Sequence, residues 1–192
     1  LVRRKLAEAG LVDEIELVVV EDLERFQLGP FGITYVPLAH SIAEGHALLI
    51  DTPHGRVFHT GDWKLDDEPI IGEPTTEEEL CELGDEGILA LVCDSTNVFN
   101  PEASGSEGAV YNALQAEVAK WAGRRVLVTT FASNVARLHT LGAVAETTGR
   151  RLCVAGRSLD RMIEVAQDTG SLGEFPETVD FDPAMRLPRG EV

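Results

Sequence analysis

The sequence of 192 residues has few cysteines, few basic side chains and no long apolar run, and each shortage excludes a class of protein. Cys81, Cys93 and Cys153 form an odd, scattered set without a CxxC pair. That speaks against a disulfide framework and against a thiolate zinc site, and it fits a reducing cytoplasm. The longest unbroken apolar run, Ile88 to Cys93, falls far short of the roughly 20 residues that a membrane helix needs. No basic-then-apolar segment stands at the start, so neither a membrane-spanning nor a secreted protein is expected. Lys and Arg number 16 against 33 Asp and Glu, a formal net charge of −17. Nonspecific gripping of nucleic acid by bulk charge is thereby excluded, because phosphate binding of that kind needs an excess of cations. What is present, 44% hydrophobic and 26% charged residues, is the composition of a globular chain with a packed core.

The charge is uneven. Residues 1–103 carry 6 basic and 22 acidic side chains (net −16), and residues 104–192 carry 10 and 11 (net −1). Two compositional halves predict two structural units, 1–103 and 104–192, meeting at the turn-forming cluster Asn100 to Ser106. The chain opens at Leu1 inside a predicted helix, Val2 to Ala9 ended by Gly10, and stops at Val192 without a terminating element, which predicts a segment of something longer.

In the first half, Ile15–Val20, Ile33–Leu38, Ala47–Ile50, Val57–Thr60 and Ile88–Cys93 are short β-rich runs and read as strands. Thr52-Pro53-His54-Gly55 has the length and chemistry of a hairpin turn, so antiparallel pairing is expected there. Thr75-Thr76, followed by Glu77, Glu78 and Glu79, marks a helix start with an acidic first turn. The second half changes rhythm. Ser104-x-x-Glu107 resembles a capping box ahead of Val110, Leu114, Val118 and Trp121 at helical spacing. A strand over Val126–Thr130, a helix over Ser133–Thr148, a strand over Leu152–Ala155 and a helix over Leu159–Thr169 follow. Such alternation predicts an α/β half with a parallel sheet and right-handed crossovers.

Chemistry concentrates where the apolar strands end. One strand runs into His40, a second into Asp62 and a third into Asp94. Carboxyl ends of strands are where layered α/β folds place their sites, so these three termini can converge on one cleft. His and Asp are ligand types that divalent metals take, and a carboxylate can bridge two ions. The same residues at the same places also serve as plain turn caps, which is the commoner role. Ser133-Asn134 and Arg157-Ser158 each fall between a strand end and a helix N-terminus, where free N–H groups favour an anion; capping alone explains the serines equally well. Arg157 adds a bidentate donor suited to phosphate. His54 reads as solvent-facing, His139 as structural, His59 as a buried support beside Asp62, and Cys93 as a small core residue. Arg124-Arg125 and Arg150-Arg151 read as solvated charges beyond Gly-capped helix ends.

The stretches His40-Ser41-Ile42-Ala43-Glu44-Gly45, His59-Thr60-Gly61-Asp62-Trp63-Lys64-Leu65-Asp66 and Cys93-Asp94-Ser95-Thr96-Asn97, followed in order by Thr129 to Arg137 and Val154 to Ser158, resemble the ribonuclease J group of β-CASP metallo-β-lactamase-fold nucleases. The resemblance covers about Phe26 to Gly170. It implies an α/β fold in which part of a metallo-β-lactamase αββα domain (1–103) precedes part of a parallel α/β β-CASP domain (104–192). It implies that His40 is a metal ligand, that Asp62 bridges two zinc ions, and that Asp94 stands at the first β-CASP motif beside the reacting phosphate, so that Asp62 and Asp94 are the catalytic pair. Ser95, Thr96 and Asn97 would support that corner by hydrogen bonding, and Ser133, Asn134 and Arg157 would contact RNA. The implied reaction is RNA hydrolysis, both 5′-to-3′ exonuclease and endonuclease, by a water activated between two zinc ions, or manganese or magnesium. The implied protein is a cytoplasmic dimer or tetramer.

The departures have consequences. The family's main metal motif, His-x-His-x-Asp-His, is absent from these 192 residues, as are its later β-CASP histidines and its last metal-ligand histidine. The expectation is therefore part of a dinuclear site, weak or no zinc binding, and no activity in this chain alone. Ala43 stands where the family commonly has Pro, Ala136 where relatives often carry a larger side chain, and His46 takes no metal role. Two other classes stay open: a small-molecule hydrolase on the same scaffold, which the α/β half disfavours, and a non-catalytic binding protein that has lost its ligands. Split at the boundary, the charge no longer opposes RNA, since the half expected to hold it is nearly neutral.

Overall fold

In the computed structural model of the chain, which describes residues 1–102 and 104–192, a short helix α1 (Val2–Glu8) precedes four strands, β1 (Arg25–Leu28), β2 (Phe31–Pro37), β3 (His46–Thr52) and β4 (Gly55–His59). Helix α2 (Glu77–Asp85) leads to strand β5 (Ala90–Val92), after which come α3 (Glu107–Ala119), α4 (Val135–Thr147), α5 (Arg157–Asp168) and α6 (Phe181–Arg186). The expected unit boundary at residue 103 lies outside the described residues.

The strands make one mixed sheet in sequence order, β1-β2-β3-β4-β5. Tight turns dictate the antiparallel part. Gly29-Pro30 joins Leu28 to Phe31, with Gly29 at φ +59°, a conformation that costs glycine little. Pro53-His54 joins Thr52 to Gly55, and the Thr52 hydroxyl both donates to the Gly55 carbonyl (2.7 Å) and accepts from the His54 N–H (3.1 Å). Strand β5 adds to β4 in parallel, which needs a crossover, and α2 supplies it. That helix starts on a full capping box: Thr76 accepts from the Glu79 N–H while the Glu79 carboxylate accepts from the Thr76 N–H, worth about 1 kcal/mol. Its Leu80 and Leu83 cover the cluster of Leu38, Ala47, Leu49 and Phe58 on one face of the sheet.

A second core joins the two halves of the sequence. Val135, Ala136 and Leu138 of α4 and Ile163 and Ala166 of α5 enclose Leu172 and the first-half residue Ile71, with Ala43 and Ile70 against them. The chain is mixed α/β, as expected, but the second half lacks the expected parallel sheet among the described residues. Val126–Thr130 and Leu152–Ala155 are not ladder strands; Leu152 makes only an isolated parallel bridge to Thr178. Ile15–Val20 is likewise unpaired, whereas β1 forms where no strand was expected. The physical reason is that β-branched composition gives propensity but a ladder needs a neighbouring strand. Without one, Val19, Leu127 and Phe131 stand 81%, 85% and 81% exposed.

Smaller corrections concern caps and charges. Ser106, not Ser104, caps α3, and the helix ends before Trp121. Arg125 and Arg150 are structural rather than solvated. Arg125 donates to the carbonyls of Ala184 and Leu187, and Arg150 to those of Trp121, Arg124 and Val192. Cys93 is exposed, not a core residue.

Candidate functional site

His40 sits in the loop between β2 and β3, pinched shut by the Leu38 N–H donating to the Gly45 carbonyl at 2.9 Å. The loop turns through Glu44 at φ +54°, a strained conformation for a residue with a Cβ. It is held from three sides. The Ala39 N–H donates to Thr75 Oγ1 (2.8 Å), the Lys64 N–H to the Ala39 carbonyl (3.2 Å), and the Ala136 N–H in the first turn of α4 to the Ser41 carbonyl (3.1 Å). The half-buried His40 keeps its Nδ1 buried without a hydrogen-bond partner among the described residues. Gly45 is required here, because a Cβ would lie 2.8 Å from the Leu38 carbonyl oxygen and 3.3 Å from the His40 Cβ. Gly45→Ala is expected to cost about 2 kcal/mol in denaturant unfolding, an overpacking penalty against backbone that cannot step aside. It should also move the His40 ring resonances; a variant as stable as the parent would refute the close approach.

Asp62 follows β4 through Gly61, whose φ of +61° makes the turn and whose N–H donates to His59 Nδ1 at 3.1 Å. His59 thus braces the Asp62 turn through this bond, but it is exposed, not buried as its strand position suggested. The Asp62 side chain is exposed, with no hydrogen bond or ion pair among the described residues.

Asp94 is brought alongside by the parallel pairing of β5 with β4. The Thr60 N–H donates to the Val92 carbonyl (2.9 Å), the Asp94 N–H to the buried Thr60 Oγ1 (3.1 Å), and Trp63 Nε1 to the Asp94 carbonyl (3.4 Å). The Asp94 carboxylate accepts from the Thr96 hydroxyl (2.6 Å) and the Thr96 N–H (2.9 Å). Those two bonds hold its carboxyl below the ordinary carboxylate range against a smaller opposing effect of burial, and His40 is near enough to add to the lowering. His40, Asp62 and Asp94 therefore gather at one end of the sheet.

The remaining sequence candidates divide. Thr96 supports Asp94 as described, whereas Ser95 and Asn97 are exposed and, among the described residues, make only backbone turn bonds, their carbonyls accepting from Val98 and Asn100. Asn134, not Ser133, caps α4, its side chain accepting from the Arg137 N–H at 2.8 Å. Both lie where α4 meets the His40 loop. Arg157 opens α5, whose N-cap, Gly156, offers no side chain, so Ser158 does not cap it. With Arg4 and Arg161 it lines a shallow cleft between α1 and α5, among Glu8, Asp160 and Glu164. Nothing among the described contacts links that cleft to His40.

Sequence spacing missed the other feature of this corner. Asp66 is buried and accepts from Lys64 Nζ (2.9 Å) and from the N–H groups of Glu68 and Glu107, both at 3.0 Å. The signal was an Asp beside a Lys in a segment already singled out for Asp62. As to a metal, the imidazole and carboxylates match a divalent ion in donor type and fall short in number. Among the described residues no three of His, Cys, Asp and Glu come together so as to hold one. Nor is any described helix long and apolar enough to cross a membrane.

Residues 123–192 match the family model described as ribonuclease J, beta-CASP domain. The chain is 40% identical to ribonuclease J of Sinorhizobium meliloti over 93% of its own length and 32% of that protein. It is 35% identical to ribonuclease J of Thermus thermophilus over 100% of the chain and 34% of the relative, and 39% identical to that of Mycolicibacterium smegmatis with the same coverage. Among solved structures, a protein of unknown function from Enterococcus faecalis V583 superposes with a TM-score of 0.61 at 16% identity, over 90% of this chain and 43% of that one, which shows a shared fold. Spanning about a third of the length of these curated relatives, the sequence is similar to ribonucleases J along nearly all of its own length, and its last 70 residues match their beta-CASP domain.

Proposed function

We propose that this chain carries part of the catalytic corner of a metal-dependent ribonuclease, with residues 1–103 belonging to a metallo-β-lactamase unit and 104–192 to a β-CASP unit. The observation that supports it most is the gathering of His40, Asp62 and Asp94 at one sheet end in a chain whose relatives are named ribonucleases J. His40 and Asp62, whose Nδ1 and carboxylate have no partner among the described residues, would hold zinc, manganese or magnesium in combination with ligands that these 192 residues lack. Two such ions, when bound, supply a water of lowered pKa and neutralise charge developing on a phosphodiester. The chain's own part is positional. The β4–β5 pairing puts both aspartates at the same end of the sheet, and the two bonds from Thr96 favour the ionised form of Asp94. Asn134 and Ser133 border the corner where an RNA backbone would pass, and Ser95 and Asn97 are free to contact it. Arg157 would take a phosphate further along. Cytoplasmic RNA as substrate and a homo-oligomeric assembly belong to the same proposal.

Paramagnetic broadening by Mn²⁺ detects even weak sites. The amides of His40, Gly61 to Trp63 and Asp94 should broaden first, and Asp62→Asn should abolish this; broadening centred on other acidic residues would remove the site. The 192-residue chain is expected not to cleave a 5′-phosphorylated RNA oligonucleotide, and metal-dependent cleavage would show that the missing motif is dispensable. In a full-length protein, Arg157→Ala should weaken RNA binding while reducing the log–log salt slope by about one. Unchanged affinity and slope would remove Arg157 from the RNA path.

A further inference from the structure

The segment that carries Asp62 and the loop that carries His40 are joined through the second half of the chain by four charged side chains of alternating sign. Lys64 Nζ lies 2.9 Å from Asp66 and 3.8 Å from Glu107, and Arg137 Nη2 lies 3.5 Å from Glu107. Their side chains are 18% (Lys64), 3% (Asp66), 12% (Glu107) and 26% (Arg137) exposed, so water screens these pairs little. Glu107 is the first residue of α3, and its N–H also donates to Asp66. Arg137 stands in the first turn of α4, next to Ala136, whose N–H holds Ser41. The Lys64 N–H, at the other end, holds Ala39. The contacts thus close a ring that runs from Lys64 through Asp66, Glu107, Arg137, Ala136 and Ser41 past His40 to Ala39 and back. Close approach is built in: the Gly108 N–H donates to the Glu68 carbonyl (3.4 Å), and a Cβ on Gly108 would lie 2.9 Å from the Glu68 carboxylate.

We propose that Asp66 and Glu107 are positioning residues, which lock the starts of α3 and α4 onto the His40 loop and thereby set His40 relative to Asp62. The idea rests on the ribonuclease reading only for what the positioned groups do. Its geometry stands without a metal. The halves also share the apolar core around Leu172, so the ring is not needed to keep them together; its role is to choose one seating of α4 on the loop.

The test uses the 192-residue chain, metal-free, by NMR. In Glu107→Gln the Ala136 amide should exchange about tenfold faster while Ala47 and Leu49 in β3 stay protected, because the opening is local. The His40 ring resonances should shift together with the Ala136 amide, and Arg137→Lys, which keeps the charge, should stay close to the parent in both. Asp66→Asn should reproduce the Gln variant more strongly; where it fails to fold, Glu107→Gln decides. A folded Glu107→Gln with unchanged Ala136 exchange and unchanged His40 signals overturns the proposal. A general rise in exchange across β3 also overturns it, since that would mark a merely structural role. Because no metal or RNA enters, a failure here leaves the metal proposal standing, and a failed Mn²⁺ experiment leaves this one standing.

Discussion

Replacing Asp66 with Ala is expected to destabilise the chain by about 3–5 kcal/mol, the cost of removing one partner from a buried ion pair. The carboxylate serves three donors at 2.9–3.0 Å, so its loss strands the N–H groups of Glu68 and Glu107 and leaves the mostly buried Lys64 ammonium with only Glu107 at 3.8 Å. Each buried donor left unmade adds about 1–3 kcal/mol. Guanidinium denaturation with and without the substitution measures it, and a loss below about 1 kcal/mol would mean that water reaches the site as it does in a surface pair. The same carboxylate gives the protein an acid limit. Burial pushes its pKa up, but Lys64 and the N–H donors of Glu107 and Glu68 together outweigh it, so the folded value lies below the ordinary one of about 3.9. A lowered folded pKa contributes stability that is fully present above the unfolded pKa and is lost as pH falls through the folded one. Stability of the parent should therefore drop more steeply below pH about 4 than that of Asp66→Asn, which has no proton to take up there.

How far the sequence could be read follows from what each element depends on. Strands β2, β3 and β4 were legible because short β-rich apolar runs and the turn chemistry at Thr52 to Gly55 specify them locally. The start of α2 was legible from Thr76 and its acidic first turn, and α4 and α5 were legible within two residues at each end, their ends from Gly149 and Gly170. Val126–Thr130, Leu152–Ala155 and Ile15–Val20 failed for the opposite reason: pairing is a property of the neighbour, and their composition does not report one. His40, Asp62 and Asp94 could be picked out as strand ends. That Asp94 shares a sheet end with the other two depends on β5 pairing with β4 in parallel, which no local signal announces. Asp66 carried only the weak local signal of Lys64 beside it, because the part of the corner that it ties in, Glu107 and through it Arg137, lies some forty to seventy positions away.

Leu172→Ala should cost about 2–5 kcal/mol, the range for emptying a fully buried leucine position. Leu172 is 0% exposed and sits where the end of α5 folds back: Gly170, at φ +74°, donates its N–H to Gln167, and the Leu172 N–H then reaches the Ala166 carbonyl at 3.1 Å. That turn drops the side chain among Ile71, Val135 and Ala136. The site can collapse only a little, because α4 is anchored on one side by the Ala136–Ser41 bond and pressed on the other by Phe175 and Pro176, which leave no room for a Cβ at Gly142. A value near the upper end is therefore expected, read as a fall in the denaturation midpoint at unchanged slope. Ala43, in the His40 loop, packs on the same cluster, so the cavity should also loosen that loop. Added to Glu107→Gln, Leu172→Ala should accelerate Ala136 exchange by more than the two single effects combined, since both act on how α4 is seated. Strict additivity would mean that the polar ring and the apolar core hold α4 independently.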